Sequence, residues 1–339
     1  TNVASATEMD HSAWNGIIRV YCHPANTGDF TIGSTVMIKF DFDPDPRTWQ
    51  YPRILAVVLL VCVSVSMLAG GTIASSDYSL FNSGWDGSSE IRDLAIDMNK
   101  QPAVVIEPAR YDTLEAETTT AIILSPETQY SQAEEDHIQS FLQRGGTVVI
   151  ADDFRGHSNQ LLAGINATAR IDGRLLRDQY SNSESTAFPK ATDVTNDSLT
   201  EGITALSLNH PSVVNPADAS VLIRSSNYSY LDGNLNEQLD GNESVRSYPI
   251  VTKESVANGT VVTVSDASIF INSMNEDSQN TVFIQNIITW DATIALDYSH
   301  NGGRAPLSVA LIYVRRSPEL QAGLGVMLIL VTLSTQRYT

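Results

Sequence analysis

Cysteine and lysine are what this chain has least of. Its 339 residues include two cysteines, Cys22 and Cys62, too few for a disulfide framework or a four-thiolate zinc site. Lysine occurs at four positions (Lys39, Lys100, Lys190, Lys253), and 20 Lys+Arg face 39 Asp+Glu, for a net charge of −19. That balance excludes a phosphate-tracking surface and with it a nucleic-acid partner, because such surfaces need clustered basic side chains. Apolar residues are not scarce. At 42 % hydrophobic, the chain can bury a sizeable core in one large domain or two small ones. Acidic, lysine-poor composition at ordinary hydrophobicity fits a protein of strong salt, where self-repulsion is screened. An acidic protein of ordinary salt is the plainer reading.

Charge is missing altogether from residues 54–74, whose sequence ILAVVLLVCVSVSMLAGGTIA is long enough to span a bilayer as a helix. Arg47 and Arg53 precede it and Asp77 follows, which places the N-terminus in the cytoplasm. A cleaved signal peptide ending at Ala74 is the alternative, and the long segment before the apolar run weighs against it. Val61 before Cys62 is not the small residue of a lipoprotein signal, so no lipidation is expected. Residues 306–334 hold a short interfacial piece, 306–314, and a second apolar run, 320–333, which reads as a second transmembrane helix or as a buried core helix. The expected arrangement is a cell-membrane protein with both termini cytoplasmic and residues 76–297 outside. Five N-x-S/T sequons, at Asn166, Asn196, Asn227, Asn242 and Asn258, all fall in that intervening region, as glycosylation of an extracytoplasmic domain requires.

Within 76–297, short apolar runs alternate with helical patterns. Residues 103–107, 120–124 and 147–151 read as buried strands, with later strands at 220–223 and 260–264. Helices are expected over 88–100, after Ser131 with Glu134 three residues on, over 158–165 and over 280–290. The alternation predicts an α/β fold, a doubly wound and mostly parallel sheet covered by helices on both faces. Ligands of such sheets lie beyond the carboxyl ends of the strands.

The run AIILSPETQYSQAEEDHIQSFLQRGGTVVIADDFRGHSNQLLAGI resembles the class I glutamine-amidotransferase-like (flavodoxin/amidotransferase-like) fold in its membrane-anchored branch. Together with WDGS at 85–88, DGRLLRD at 172–178, SDASIFIN at 265–272 and LDYSH at 296–300, it is more specifically similar to the DUF4350 family of haloarchaeal type, over about residues 51–334. The resemblance implies that fold on two transmembrane tethers. It also implies a membrane assembly served by MoxR-type ATPase and DUF58-type partners. Residues 1–50 lie outside it and read as a small β unit or as sequence foreign to the family. Active amidotransferases of this fold carry a cysteine on the turn after a central strand. Here the turn after 147–151 carries Asp152, Asp153 and Phe154, and no cysteine follows Cys62. The thiol mechanism is absent, and no catalytic residue is assigned.

Four constellations remain. Gly156, His157, Ser158, Asn159 and Gln160 miss the G-x-S-x-G elbow by one glycine and lie too far past the strand, so a capping loop is expected. Asp152 and Asp153, with Asp266 and Asn272 after a later strand, either converge in the ligand crevice or serve as surface acids and helix caps. Counting Asp232 as position 1, oxygen ligands fall at Asp232, Asn234, Asn236, Gln238 (through its carbonyl), Asp240 and Glu243, the spacing of an EF-hand-type calcium loop. Glu237 stands where glycine makes the bend, so the loop reads either as a weakened structural calcium site or as an Asp/Asn-rich turn without metal. Asp297, Tyr298 and His300 form an Asp-x-x-His element near the last apolar run, either functional or an anchor at headgroup depth.

Two functions fit these features. The first is a non-catalytic, membrane-anchored binding or interaction module of a haloarchaeal cell-surface assembly. The alternative is a carboxylate- or metal-dependent hydrolase of cell-surface glycans or peptides. The second needs its acids around one cavity; the first tolerates their dispersal.

Overall fold

In a computed structural model, the short apolar runs become strands of one eight-stranded sheet: β1 (Ala103–Val105), β2 (Thr119–Leu124), β3 (Thr147–Ala151), β4 (Asp193–Val194), β5 (Ser220–Arg224), β6 (Pro249–Val256), β7 (Gly259–Val264) and β8 (Thr293–Asp297). The structure describes residues 76–302 apart from 155, 276 and 277, with scattered positions between 55 and 62 and between 309 and 326. The chain divides into two compact units, Thr1–Val65 and Ser66–Thr339, and the sheet belongs to the second. Residues 1–50 and most of 54–74 and 306–334, where a β unit and two spans were expected, lie outside the described residues. Among the described residues no helix is long and apolar enough to cross a membrane.

The sheet order is β1-β8-β2-β3-β7-β6-β5-β4. From β1 to β7 every pairing is parallel, and from β7 onward every pairing is antiparallel. The mostly parallel expectation therefore holds, with antiparallel pairing confined to one edge. The β6 sequence PIVTKESV carries charge mid-strand, and such a strand suits an edge region joined by a tight turn to its neighbour. The central β2 and β3 are buried along their whole length, as strands covered on both faces must be.

Alternate side chains feed two cores. Ile122, Leu124, Val149, Ala151, Val262 and Val264 point to the face covered by α1 (Ser89–Asp97) and α4 (Ser278–Trp290). Ala121, Ile123, Val148, Ile150 and Val261 point to the face covered by α2 (Gln132–Gln143) and α3 (His157–Gly164). Helix α2 illustrates the local logic. Ser131 donates its N–H and hydroxyl to Glu134 Oε2 at 2.8 and 2.7 Å, fixing the first turn. Ile138, Phe141 and Leu142 fall on one face and are fully buried. Gly145, at φ +94°, ends the helix. Gly146 then passes so close to Phe141 that a Cβ would lie 2.2 Å from its ring.

Between α3 and β6 the chain makes a long excursion that adds β4, β5 and three small antiparallel ribbons. These are Arg170–Ile171 with Val214–Asn215, Leu175–Asp178 with Ser229–Asp232, and Lys190–Ala191 with Leu206–Ser207. This excursion decides what stands over the carboxyl edge of the sheet.

Candidate functional site

Strands β3 and β7 are parallel neighbours, yet the chain leaves them towards opposite faces: β3 runs into α3 and β7 into α4. A crevice opens where neighbouring exits diverge, and in open α/β sheets that is where ligands bind. Asp152 and Asp153 follow β3, and Ser265 and Asp266 follow β7, so three of the four crevice residues expected from sequence do come to this point. The fourth, Asn272, does not join them. Its amide donates to Gly84 O at 2.7 Å and its Oδ1 accepts the Glu90 N–H at 3.0 Å, which pins the loop before α1.

The crest extends to the neighbouring strands. Ser125, just past β2 and at φ +37°, is buried and donates to Asp152 Oδ1 at 3.2 Å. Asp297 ends β8, buried, and accepts the Tyr111 hydroxyl at 2.7 Å and the Ser299 hydroxyl at 2.6 Å. Burial pushes the Asp297 carboxyl up, against the pull of its Ser299 and Tyr111 donors. Burial likewise raises the Tyr111 and Tyr130 phenols, with the Asp297 charge adding to both.

Asp266 is the most perturbed of these acids. Burial raises its carboxyl to about 7, the Asn209 and Ser268 N–H groups oppose the rise, and the negative Asp153 reinforces it. The two N–H bonds are 2.8 Å to Oδ2 and 2.9 Å to Oδ1, so both oxygens are engaged by the chain itself. Asp152 is equally inaccessible, with Oδ1 shared between Ser125 Oγ and the Asp153 N–H. What covers the crevice is the excursion. Ser212 N donates to Ser265 O at 2.9 Å, Ser265 Oγ donates to Ser212 O at 3.1 Å, and Leu176 N donates to Pro211 O at 2.8 Å. Chemically, this is a carboxylate crest that holds its own loops and is roofed by residues 209–213.

The Asp-x-x-His element packs into the domain. Tyr298 is fully buried, edge-on to Phe81 at 5.2 Å, so it is a core residue and not an anchor at headgroup depth. His300 lies on Tyr130 with ring centroids 3.8 Å apart; its Nδ1 is 2.8 Å from Thr128 Oγ1 and its Nε2 is 3.5 Å from Glu134 Oε1. Ser158, in the first turn of α3, is buried with no partner for its hydroxyl, while Asn159 clasps both backbone groups of Ile171 at 2.8 Å. The segment fastens α3 to Ile171 through Asn159, and no side chain caps the helix at Gly156.

The loop from Asp232 to Glu243 folds back on itself as its spacing implies. Asp232 accepts the N–H groups of Asn236 and Glu237 at 3.1 and 3.0 Å, Asn236 Oδ1 accepts that of Gln238 at 2.9 Å, and Glu243 accepts those of Gly233 and Asp240 at 3.0 Å each. The Asn234 and Asn236 amides both donate to Asp240 Oδ2. Asp232 itself is held by buried Arg177 at 2.7 Å. Burial would raise the Asp232 carboxyl, but the Arg177 guanidinium and the two N–H donors hold it below the usual carboxylate range. Among the described residues, no three His, Cys, Asp or Glu side chains gather so as to hold a metal ion. The cation on the position-1 carboxylate is the Arg177 guanidinium. Arg177 was not singled out from sequence, and only its place across from Tyr230 in the ribbon register reveals the pairing.

All five sequon asparagines are exposed. Besides Arg177, the residues that sequence reasoning missed are Tyr111, Ser125 and Asn209. Tyr111 and Asn209 lie far along the chain from the acids they serve, with no local signal; Ser125 could have been found from its place between a buried run and a proline.

Comparisons with known proteins bear mainly on the family. No curated protein matches the chain. Among solved structures, the mmIFT52 N-terminal domain is 14 % identical with a TM-score of 0.42, covering 55 % of this chain and 80 % of that one. The exo-beta-1,4-mannosidase Op5Man5 from Opitutaceae bacterium strain TAV5 is 14 % identical at a TM-score of 0.34, covering 57 % and 29 %. A putative ThuA-like protein from Bacteroides uniformis ATCC 8492 is 12 % identical at 0.36, covering 60 % and 82 %. The sequence profile of a family described as a domain of unknown function, DUF4350, matches residues 81–288, from the loop before α1 almost to the end of α4. That is well over half of the chain, which therefore belongs to the DUF4350 family.

Proposed function

We propose that this chain is a non-catalytic binding or interaction module of a haloarchaeal cell-surface assembly, an amidotransferase-like α/β domain held outside the membrane by its apolar segments. The observation that carries the non-catalytic part is the roofed crest. Asp152 and Asp266 are buried, Asp152 Oδ1 and both Asp266 oxygens serve the chain's own N–H and hydroxyl groups, and Asn209 and Ser212 bond directly to Asp266 and Ser265 at the strand end. The membrane part rests on the charge-free 54–74 run with Arg47 and Arg53 on one side and Asp77 on the other. Exposure of all five sequon asparagines is in keeping with a domain outside the cytoplasm. ATPases of the MoxR type and DUF58-type membrane proteins are the proposed partners.

The test is affinity capture of the tagged full-length chain from native high-salt membranes after mild cross-linking, read by mass spectrometry. Reproducible co-enrichment of such an ATPase or of a defined set of membrane proteins is expected. Recovery of the chain alone would overturn the assembly reading.

A carboxylate-dependent hydrolase keeps one specific observation in its favour, the Asp266 carboxyl near 7 with the Asp153 charge beside it. It requires residues 209–213 to move. Hydrolysis of surface glycans or peptides that vanishes in both Asp153→Asn and Asp266→Asn would establish it.

A further inference from the structure

Away from the crest, beside the ribbon of Leu175–Asp178 and Ser229–Asp232, lies a half-open hollow of about 420 Å3. Its polar lining includes Arg174, Arg246, Glu243, Asn234, Asn242 and Ser244, with Tyr248 beside them. Two guanidinium groups, Arg174 and Arg246, meet at this hollow beside one lining carboxylate, Glu243, in a chain with about half as many basic as acidic residues. Arg174 is steered by Asp172, which takes its Nε at 2.6 Å and its Nη2 at 2.8 Å, leaving Nη1 without a partner among the described residues. Arg246 has no acid partner among the described residues; its guanidinium lies 4.7 Å from the centre of the Tyr248 ring. Tyr248 in turn is fixed by donating its hydroxyl to Ser244 O at 2.7 Å. A stacked, exposed guanidinium without a carboxylate is set to receive one, and the planar fork favours a bidentate carboxylate.

The remaining surroundings describe the rest of the ligand. Amide and hydroxyl groups dominate over apolar surface, which suits a polyhydroxylated molecule and not a lipid, and the volume is in the range of small-molecule sites. The Arg246 N–H donates to Ser229 O at 2.9 Å, which puts Arg246 next along the ribbon from Tyr228. Tyr228 and Tyr180 form an edge-to-face pair 5.0 Å apart and are 55 % and 75 % exposed, an aromatic platform with no covering among the described residues. Exposed aromatic faces beside a hydrogen-bonding hollow suit the C–H faces of sugar rings. Glu243 is oriented by the Gly233 and Asp240 N–H groups, one on each carboxylate oxygen, and makes no ion pair with either arginine among the described residues.

We propose that this hollow binds an acidic saccharide, its uronate carboxylate held by Arg246 and Arg174 and its hydroxyls by the asparagine and serine side chains. The inference deepens the reading of the chain as a surface binding module and rests on it for its setting.

The experiment is calorimetric titration of the full-length chain in detergent with glucuronate, with glucose and inorganic sulfate as the comparison probes. Glucuronate binds at least tenfold more tightly than either, about 1.4 kcal/mol. Arg246→Ala and Arg174→Ala each weaken it at least tenfold, and Arg246→Lys falls between because it keeps charge without the fork. Both arginines are exposed, and an unchanged melting temperature shows that the variants fold. Glucose binding equal to glucuronate, displacement by equimolar sulfate, or full binding in Arg246→Ala would each overturn the proposal. So would a glycan on Asn242 of the native chain, since it would fill the hollow. Cross-linking capture with Arg246→Ala separates the two readings: partners retained while no glucuronate binds to the natural chain would sink the saccharide site and leave the assembly standing.

Discussion

Replacing Asp266 by asparagine keeps its shape and removes the charge. In the folded chain this carboxyl titrates near 7, against 3.8 for an ordinary aspartate. Between those values the folded state holds a proton that the unfolded state has released, so stability falls as pH rises from about 4 to 7 and is flat above. Each pH unit of that gap corresponds to about 1.4 kcal/mol, so about three units give a total near 4 kcal/mol. The asparagine variant lacks this titration. Its amide can accept only one of the Asn209 and Ser268 N–H bonds, and the loss costs about 1–3 kcal/mol. The variant is therefore less stable than the natural chain at pH 5, and the difference closes or reverses by pH 8. Urea unfolding of both full-length proteins, followed by tryptophan fluorescence at constant ionic strength from pH 4.5 to 8.5, reads the difference directly. Parallel stability curves across that range would refute the argument that burial governs this group.

Arg177→Met leaves Asp232 buried without its partner and should cost about 3–5 kcal/mol in the same unfolding assay. Because Asp232 is held below the ordinary carboxylate range, its share of stability is present above pH 4 and is lost as pH falls further; Asp232→Asn should flatten that acid limb. With Arg177 on the position-1 carboxylate, millimolar calcium should raise the melting temperature no more than magnesium does; a calcium-specific rise would show that the loop rearranges around the ion. Gly259→Ala would place a Cβ 2.3 Å from Gly146 O and should cost about 1–3 kcal/mol, read by thermal melting.

The parallel core was readable in the sequence because its strands are buried on both faces. The runs at 120–124 and 147–151 carry no polar side chain but threonine, and Ser131 with Glu134 marks the start of α2. The antiparallel edge was not. In β6 the sequence mixes Thr, Lys, Glu and Ser with its apolar residues, and the small ribbons have strands of two to four residues, below the length at which periodicity carries a signal. Strand β8 was seen only as the motif containing Asp297, because its five residues follow α4 after a two-residue gap and merge with it in apolar content. The crest acids were legible as residues beyond strand ends. Their engagement was not, since Asn209 and Ser212 come from an excursion whose path no local pattern fixes. Asn272 misled for the same reason: its partners are 182–190 positions away.

The sheet order has a consequence for how the molecule is made. Strand β8, the last of the described strands, lies between β1 and β2, the first two of them. Until residue 297 is available, β1 has no neighbour among the described strands and β2 presents an open edge, although both were synthesised some 170 residues or more earlier. A growing chain therefore cannot seal its core in order of synthesis; it must carry an unpaired strand and a bare edge through the whole excursion, the condition under which edge pairing between chains sets in. The long sequence separation of these pairings also makes closure slow. A nascent chain arrested before β8 would expose that edge indefinitely, so quality control of this protein should act on C-terminally truncated chains far more severely than on chains shortened at their beginning.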